Sequence, residues 1–121
     1  MTTCLMVGAA VLSLGSPAFS LHWTHSVEKT EWVEDWRIEA RGLRLTGARV
    51  KGSGAGMEPA DDAVLQDGWW VWRADTLVPA LHLAASGATG AGWRLCEGAR
   101  CHEIGAAASD SITLAPCVPP G

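Results

Sequence analysis

Two stretches of the sequence bring together residue types that could do chemistry. The first, residues 25–32, holds a histidine, a hydroxyl, a carboxylate and an ammonium group within a few positions. Its candidate binding residues are His25, Ser26, Glu28 and Lys29. Polar groups at this density indicate a site rather than a plain connection between strands.

The second stretch, residues 48–59, carries two cations and then a glycine-rich loop. Its candidate residues are Arg49, Lys51, Ser53, Gly54 and Gly56. Closely spaced glycines let the backbone approach another group, and their N–H groups beside two cations favour anion binding. We expect the two stretches to form one site. A tight turn with exposed cations is the alternative interpretation.

One carboxylate lies where the pattern predicts an apolar surface. Glu34 falls between Trp32 and Trp36 on the same side of a predicted strand. A carboxylate there needs a partner, and the sequence predicts Arg49 or Lys51 on the next strand. The pair could fix strand register or belong to the site.

Catalysis is the alternative to binding. His25 and Ser26 are adjacent, so on a strand their side chains point to opposite faces and cannot form a nucleophile–base pair. A hydrolase would have to combine His25 with Ser53. His22 and His25 also point to opposite faces. We therefore expect a non-catalytic protein without a metal or a cofactor.

Length and composition indicate one globular domain. The chain has 121 residues, of which 48% are hydrophobic, so a packed core is within reach. A net charge of −4 without a basic stripe argues against nucleic acid as a partner. Seven tryptophans in so small a chain must form much of the core or a binding surface.

Alternating patterns predict short strands. Apolar residues alternate over residues 21–25, 32–40 and 43–45, and the phase then slips by one residue. Thr46-Gly47 is therefore predicted to form a β-bulge, which would re-aim Arg49 and Lys51. Val33 is expected to face water.

The second half of the chain continues the strand pattern after a long glycine-rich loop over residues 52–68. A turn at Asp67-Gly68 leads into a strand over residues 69–73, with Trp70 and Trp72 on one face and Trp69 on the other. Further strands are predicted at residues 77–83, 93–96, 101–104 and 112–114. The fold class that follows is all-β, a small antiparallel sandwich or barrel.

The N-terminus resembles a secretory signal. An apolar run over residues 4–14 is followed by Gly15-Ser16-Pro17 and by Ala18-Phe19-Ser20, which fits a cleavage pattern. We expect a signal peptide over residues 1–20, a domain over 21–115 and a flexible tail over 116–121. An uncleaved membrane anchor and a buried N-terminal strand are the alternatives.

The cysteines fit an oxidising compartment. Cys96 and Cys101 flank a four-residue turn and are predicted to form a disulfide across a hairpin. Metal binding by these cysteines with His102 is the less favoured alternative. Cys117 is expected to be a free thiol, or to pair with Cys4 if the N-terminus is retained.

Four motifs resemble one family of proteins. They are HSVEKTEWVEDWRIEA, LRLTGARVKGSGAGMEP, GWWVWR and LCEGARC, and the resemblance around them covers roughly residues 21–105. The sequence is similar to small exported bacterial proteins with a domain of unknown function, encoded beside or fused to TRAP-type transporters of the TAXI subclass. The resemblance implies a periplasmic or secreted accessory of an organic-anion transporter. Its implied partner is the membrane subunit or the solute-binding protein.

Overall fold

The computed structural model describes residues 3–24, 31–51, 62–85, 92–104 and 109–117. Within them it contains strands and turns only. The strands are β1 (Thr3–Val7), β2 (Ala10–Leu14), β3 (Ala18–Thr24), β4 (Glu31–Glu39), β5 (Gly42–Lys51), β6 (Val64–Gln66), β7 (Trp69–Val78), β8 (Leu81–Ala85), β9 (Trp93–Glu97), β10 (Arg100–Ile104) and β11 (Ser109–Pro116).

The strands form two antiparallel sheets. The smaller sheet has the order β2-β1-β11-β8, and the larger has the order β10-β9-β3-β4-β5-β7-β6. The sheets pack as a sandwich and do not close into a barrel. The predicted all-β fold is therefore confirmed, in its sandwich form.

The core lies between the sheets. The large sheet contributes one face, here called the inner face, and the opposite face is called the outer face. The buried core residues are Leu5, Leu14, Leu83 and Leu114 from the small sheet, and Phe19, Leu21, Trp36, Ile38, Leu43, Leu95 and Ile104 from the large sheet. Burying one such side chain contributes about 1.5–3 kcal/mol.

A bulge in β5 sets which side chains face outward. Asp35 pairs with Gly47 and Trp36 pairs with Leu45, so Thr46 is the extra residue. Before the bulge Leu43 and Leu45 point inward, and after it Ala48 and Val50 do. The bulge predicted at Thr46-Gly47 is confirmed, and Arg49 and Lys51 consequently lie on the outer face.

Other predicted turns and strands are found where the pattern placed them. Asp67 and Gly68 both have positive φ, of 52° and 86°, in the turn between β6 and β7. β9 and β10 form the predicted hairpin, and Cys96 and Cys101 are joined by a disulfide with an S–S distance of 2.06 Å.

Three details of the pattern are wrong. β6 (Val64–Gln66) is a strand within the loop predicted over residues 52–68. Val33 is only 1% exposed although it lies on the outer face, where side chains were expected to meet water. The strand predicted over residues 77–83 is two strands, because β7 ends at Val78 and β8 begins at Leu81 in the other sheet. Pro79 stands at the crossing, where its missing N–H breaks the ladder.

The N-terminal residues are part of the sandwich. β1 and β2 form a hairpin, and Leu5 and Leu14 are 0% and 1% exposed in the core. β3 begins at Ala18, upstream of the predicted boundary at residue 21. Cleavage after residue 20, and with it the boundary of the mature domain, stays a prediction.

The C-terminal residues join the same sheet. β11 extends to Pro116, and Cys117 forms a disulfide with Cys4. The tail predicted to begin at residue 116 therefore gives its first two residues to the fold, and residues 118–121 lie outside the described part. No helix in the described ranges is long and apolar enough to cross a membrane.

Candidate functional site

Most of the predicted site lies outside the described residues. This applies to His25, Ser26, Glu28, Lys29, Ser53, Gly54 and Gly56. Whether the two predicted stretches meet in space therefore stays a prediction. Arg49, Lys51 and Glu34 are described. Arg49 and Lys51 lie together on the outer face, and Glu34 lies apart from them on the inner face.

Arg49 and Lys51 meet on one indole ring. Lys51 is opposite Trp69 in the register of β5 and β7, two positions beyond Arg49 on the same face. The Arg49 guanidinium carbon lies 5.2 Å from the centre of the Trp69 ring, and the Lys51 ammonium nitrogen lies 5.6 Å from it. We call Arg49, Lys51 and Trp69 the cationic corner. Its two cations share one electron-rich surface.

Among the described residues, the corner has little negative charge to balance it. The described carboxylate that pairs with Arg49 is that of Asp35, with Nη1 and Oδ2 4.0 Å apart, which is beyond hydrogen-bonding distance. Among the described carboxylates none forms an ion pair with Lys51. Both cations keep donors that an added anion could use.

A row of charged and imidazole groups crosses the outer face beside the corner. His22 on β3 pairs with Arg94 on β9 and, on its other side, with Val33 on β4. Val33 in turn pairs with Arg49 on β5. Burial of His22, and then the positive charge of Arg94, lowers the pKa of the imidazole. His22 is therefore neutral near pH 7 and adds no net positive charge to the row.

The same face holds a serine–histidine contact. Ser20 Oγ lies 2.8 Å from His22 Nε2, and His22 Nδ1 lies 3.8 Å from Glu31 Oε2. The second distance is too long for the hydrogen bond that orients a catalytic base. β3 is also paired on both sides at Ser20, so backbone amides there are held in the ladders and do not offer an oxyanion hole.

An open groove runs past Ser20 on this face. Its volume is about 470 Å³, and its polar lining includes Asp35, Arg37 and Thr46. Thr46 is the bulge residue, and its hydroxyl donates to the Asp35 carbonyl over 3.2 Å. The bulge thus shapes both the groove and the neighbouring cationic corner.

Glu34 does not pair with Arg49 or Lys51, and that prediction is wrong. Its register partners are Leu21 on β3 and Ala48 on β5, so Glu34 lies on the inner face while both cations lie on the outer face. The Trp36 Nε1–H donates to Glu34 Oε1 over 3.3 Å. Burial raises the pKa of this carboxyl, and the Trp36 hydrogen bond opposes that rise only in part.

Tryptophans surround this end of the inner face. The Trp23 and Trp32 rings stack with centres 5.7 Å apart, Trp93 lies 4.8 Å from Trp23, and Trp72 meets Trp32 edge-on at 5.9 Å. The sequence pattern assigned a face to Trp32 and Trp72 but did not show that four separate strands place the four rings in one row.

The described ranges contain no group of three or more His, Cys, Asp or Glu side chains suited to a metal ion. Cys96 and Cys101 are joined to each other, so His102 has no free thiol beside it from this pair.

Comparison with known proteins identifies a family but no function. No curated protein matches the chain, and no solved structure matches it. Residues 19–104 match a domain of unknown function, DUF1850, over more than half of the chain, from the second residue of β3 to the end of β10. The chain therefore belongs to the DUF1850 family.

Proposed function

We propose that this protein is an exported, non-catalytic binding protein that recognises a carboxylate-bearing ligand or partner surface at the cationic corner. The observation that carries the proposal is the convergence of Arg49 and Lys51 on Trp69, at 5.2 and 5.6 Å from its ring centre. Two like charges on one ring repel each other, and a bound anion would relieve that repulsion.

The side chains of the corner suit a carboxylate. Arginine presents a planar fork that matches two carboxylate oxygens, and lysine adds a compact charge with three donors. The Arg49 side chain is 38% exposed, so the fork is accessible without rearrangement of the sheet. The indole beneath holds both charged groups in place, which lowers the entropy lost on binding.

The cellular setting of the proposal comes from the resemblance of residues 21–105. The resemblance implies that the partner belongs to a TAXI-subclass TRAP transporter of organic anions. It also implies a periplasmic or secreted location. The two disulfides fit an oxidising compartment of that kind. A ligand carboxylate or an acidic patch of a transporter component would present the same chemistry to the corner.

The competing function is an envelope hydrolase built on His25 and Ser53. Both residues lie outside the described ranges, so it has no geometric support. The Ser20–His22 contact does not replace it, because the carboxylate and the oxyanion donors are missing from their catalytic positions. A third possibility is that Arg49 and Lys51 only stabilise the fold. The experiment below distinguishes this role from binding.

The test compares the full chain with the double variant Arg49→Ala/Lys51→Ala. Titration calorimetry with succinate at low salt measures binding of a free dicarboxylate, and capture from gently solubilised envelopes of the native host measures binding of a partner. We expect the double variant to lose about tenfold in succinate affinity, or to lose the captured transporter subunit.

Arg73→Ala is the matched control, because Arg73 is an exposed cation on the same face and lies opposite Gly47. It should leave both readouts unchanged. The proposal fails if the double variant and Arg73→Ala behave alike in both assays. Unfolding in urea shows whether the double variant merely loses stability.

A further inference from the structure

Glu34 lies at the border of the core cluster, and Ala48 and Val50 on the neighbouring strand are buried as well, at 5% and 1% exposed. Its strand neighbour Trp36 is 5% exposed and belongs to the core, as does its cross-strand neighbour Leu21. On the other side, Trp32 and Trp72 are half-buried and lie outside that core cluster. The carboxylate therefore lies at the edge of a half-buried aromatic surface, on the face opposite the cationic corner.

The aromatic surface has a defined geometry. Trp93, Trp23 and Trp32 lie side by side on β9, β3 and β4, with ring centres 4.8 and 5.7 Å apart. Trp72 on β7 stands nearly perpendicular to Trp32, with an angle of 85° between the rings. We call these four rings the tryptophan row. Trp72 is opposite Ala48, which is itself opposite Glu34, so one small side chain separates the indole from the carboxylate.

The charge of Glu34 has no described counterion. Among the described residues no Lys, Arg or His forms an ion pair with it, and its one described hydrogen bond comes from Trp36. An ionised carboxylate in such surroundings loses much of its hydration without full compensation. Indole faces are electron-rich, so they do not supply positive charge either.

A small organic cation would suit both the Glu34 carboxylate and the neighbouring indole rings. Its charge would pair with the carboxylate, and its methyl or methylene groups would lie on the indole faces through cation–π contact. A simple anion would be repelled by both. A small hydrated metal ion would lose water ligands and gain only one carboxylate, so its binding here would be unfavourable.

We propose that the tryptophan row and Glu34 form a binding site for a small organic ammonium ion. The site is separate from the cationic corner, because the two lie on opposite faces of the large sheet. Glu34 supplies the countercharge, Trp72 and Trp32 supply two differently oriented aromatic surfaces, and Trp23 and Trp93 extend the row. The site does not depend on the carboxylate-binding function proposed above.

The experiment is a fluorescence titration of the full chain with choline chloride at constant ionic strength, with sodium chloride as the salt control. Tryptophan emission comes from all seven tryptophans of the chain, four of which form the row. We expect a saturable change at millimolar choline, and an affinity at least about tenfold lower for Glu34→Gln. The neutral isostere 3,3-dimethylbutan-1-ol should bind more weakly than choline by a similar factor.

Two further variants complete the design. Glu103→Gln removes an exposed carboxylate from the outer face and should leave choline binding unchanged. Trp72→Leu removes one aromatic surface and should weaken binding while thermal unfolding shows that the chain is folded. The proposal is overturned if choline gives no saturable change, if the neutral alcohol binds equally well, or if Glu34→Gln binds like the unchanged protein.

Discussion

Two ionisable groups on opposite faces of the large sheet respond to burial in opposite senses. Desolvation raises the pKa of the Glu34 carboxyl on the inner face and lowers the pKa of the His22 imidazole on the outer face. In both cases burial disfavours the charged form. Each group is consequently more often neutral in the folded protein than in the unfolded chain, so each couples folding to pH.

Glu34→Gln should remove one component of the pH dependence of stability. The folded pKa of Glu34 lies above its unfolded value, so the folded state holds the proton more tightly. Stability contributed by this group is then gained as pH falls through the folded pKa, and is absent at neutral pH. The amide keeps an oxygen that can accept the Trp36 hydrogen bond. We expect the variant to be more stable at pH 7 by on the order of 1 kcal/mol.

Urea unfolding between pH 4 and pH 8 measures this effect. The difference between the variant and the unchanged protein should shrink on acidification, as the wild-type carboxyl becomes protonated. A difference that stayed constant with pH would show that Glu34 does not carry the coupling. Glu103→Gln again serves as the control for loss of an exposed carboxylate.

At the scale of elements, the turn between β4 and β5 depends on a missing side chain. Gly42 has a φ of 156°, and a Cβ built there would collide with the carbonyl oxygen of Val78 and lie within 3.0 Å of Pro79. The backbone of β5 thus approaches the point where the chain leaves β7 for the small sheet. Only glycine permits that approach.

Gly42→Ala should therefore destabilise the fold by about 1–3 kcal/mol, since backbone on both sides must move to admit the methyl group. The urea midpoint measures the loss. Gly15→Ala is a matched control, because its methyl would meet only the movable carboxylate of Glu97. Equal losses in the two variants would contradict the close approach at Gly42.

At the scale of the whole molecule, the chain ends hold the small sheet together. β1 lies between β2 and β11, and the Cys4–Cys117 disulfide joins positions separated by 113 residues. The Cys96–Cys101 disulfide joins positions only 5 apart. Cross-linking a long loop removes far more disorder from the unfolded chain than cross-linking a short one.

Removal of the long-range bond should cost more than removal of the short one. Chain-entropy arguments give about 4.7 kcal/mol for a loop of 100 residues and about 3 kcal/mol for one of 15. We expect Cys4→Ser/Cys117→Ser to lower the urea midpoint well below that of Cys96→Ser/Cys101→Ser. Equal midpoints would contradict the role of the terminal bond.

Peptide mapping under non-reducing conditions, on protein isolated from its native host, determines whether residues 1–20 are present in the mature chain. A fragment that links Cys4 to Cys117 would show that the N-terminal hairpin, which contributes Leu5 and Leu14 to the core, is retained in the mature protein. A mature chain that begins at residue 21 would lack that fragment, and would support the signal peptide instead.

Local order was accessible from the sequence alone. Alternation identified the faces of β3, β4 and β7, and the phase slip located the bulge at Thr46, because side chains on a strand alternate with a period of two. The turn at Asp67-Gly68 and the hairpin closed by Cys96–Cys101 also followed from local residue chemistry. These features depend on near neighbours, so a short window of sequence contains their cause.

Relations between distant segments were decided only by the tertiary structure. Glu34 and Arg49 lie on paired strands, yet the phase set by the bulge leaves them on opposite faces. The apolar run at the N-terminus has the composition of both a signal peptide and a buried hairpin. The tertiary structure shows that this run packs against β11, which its composition did not show, and cleavage stays a prediction. The tryptophan row joins four strands that are far apart in sequence, and which strands lie side by side depends on how the whole chain buries its apolar faces together.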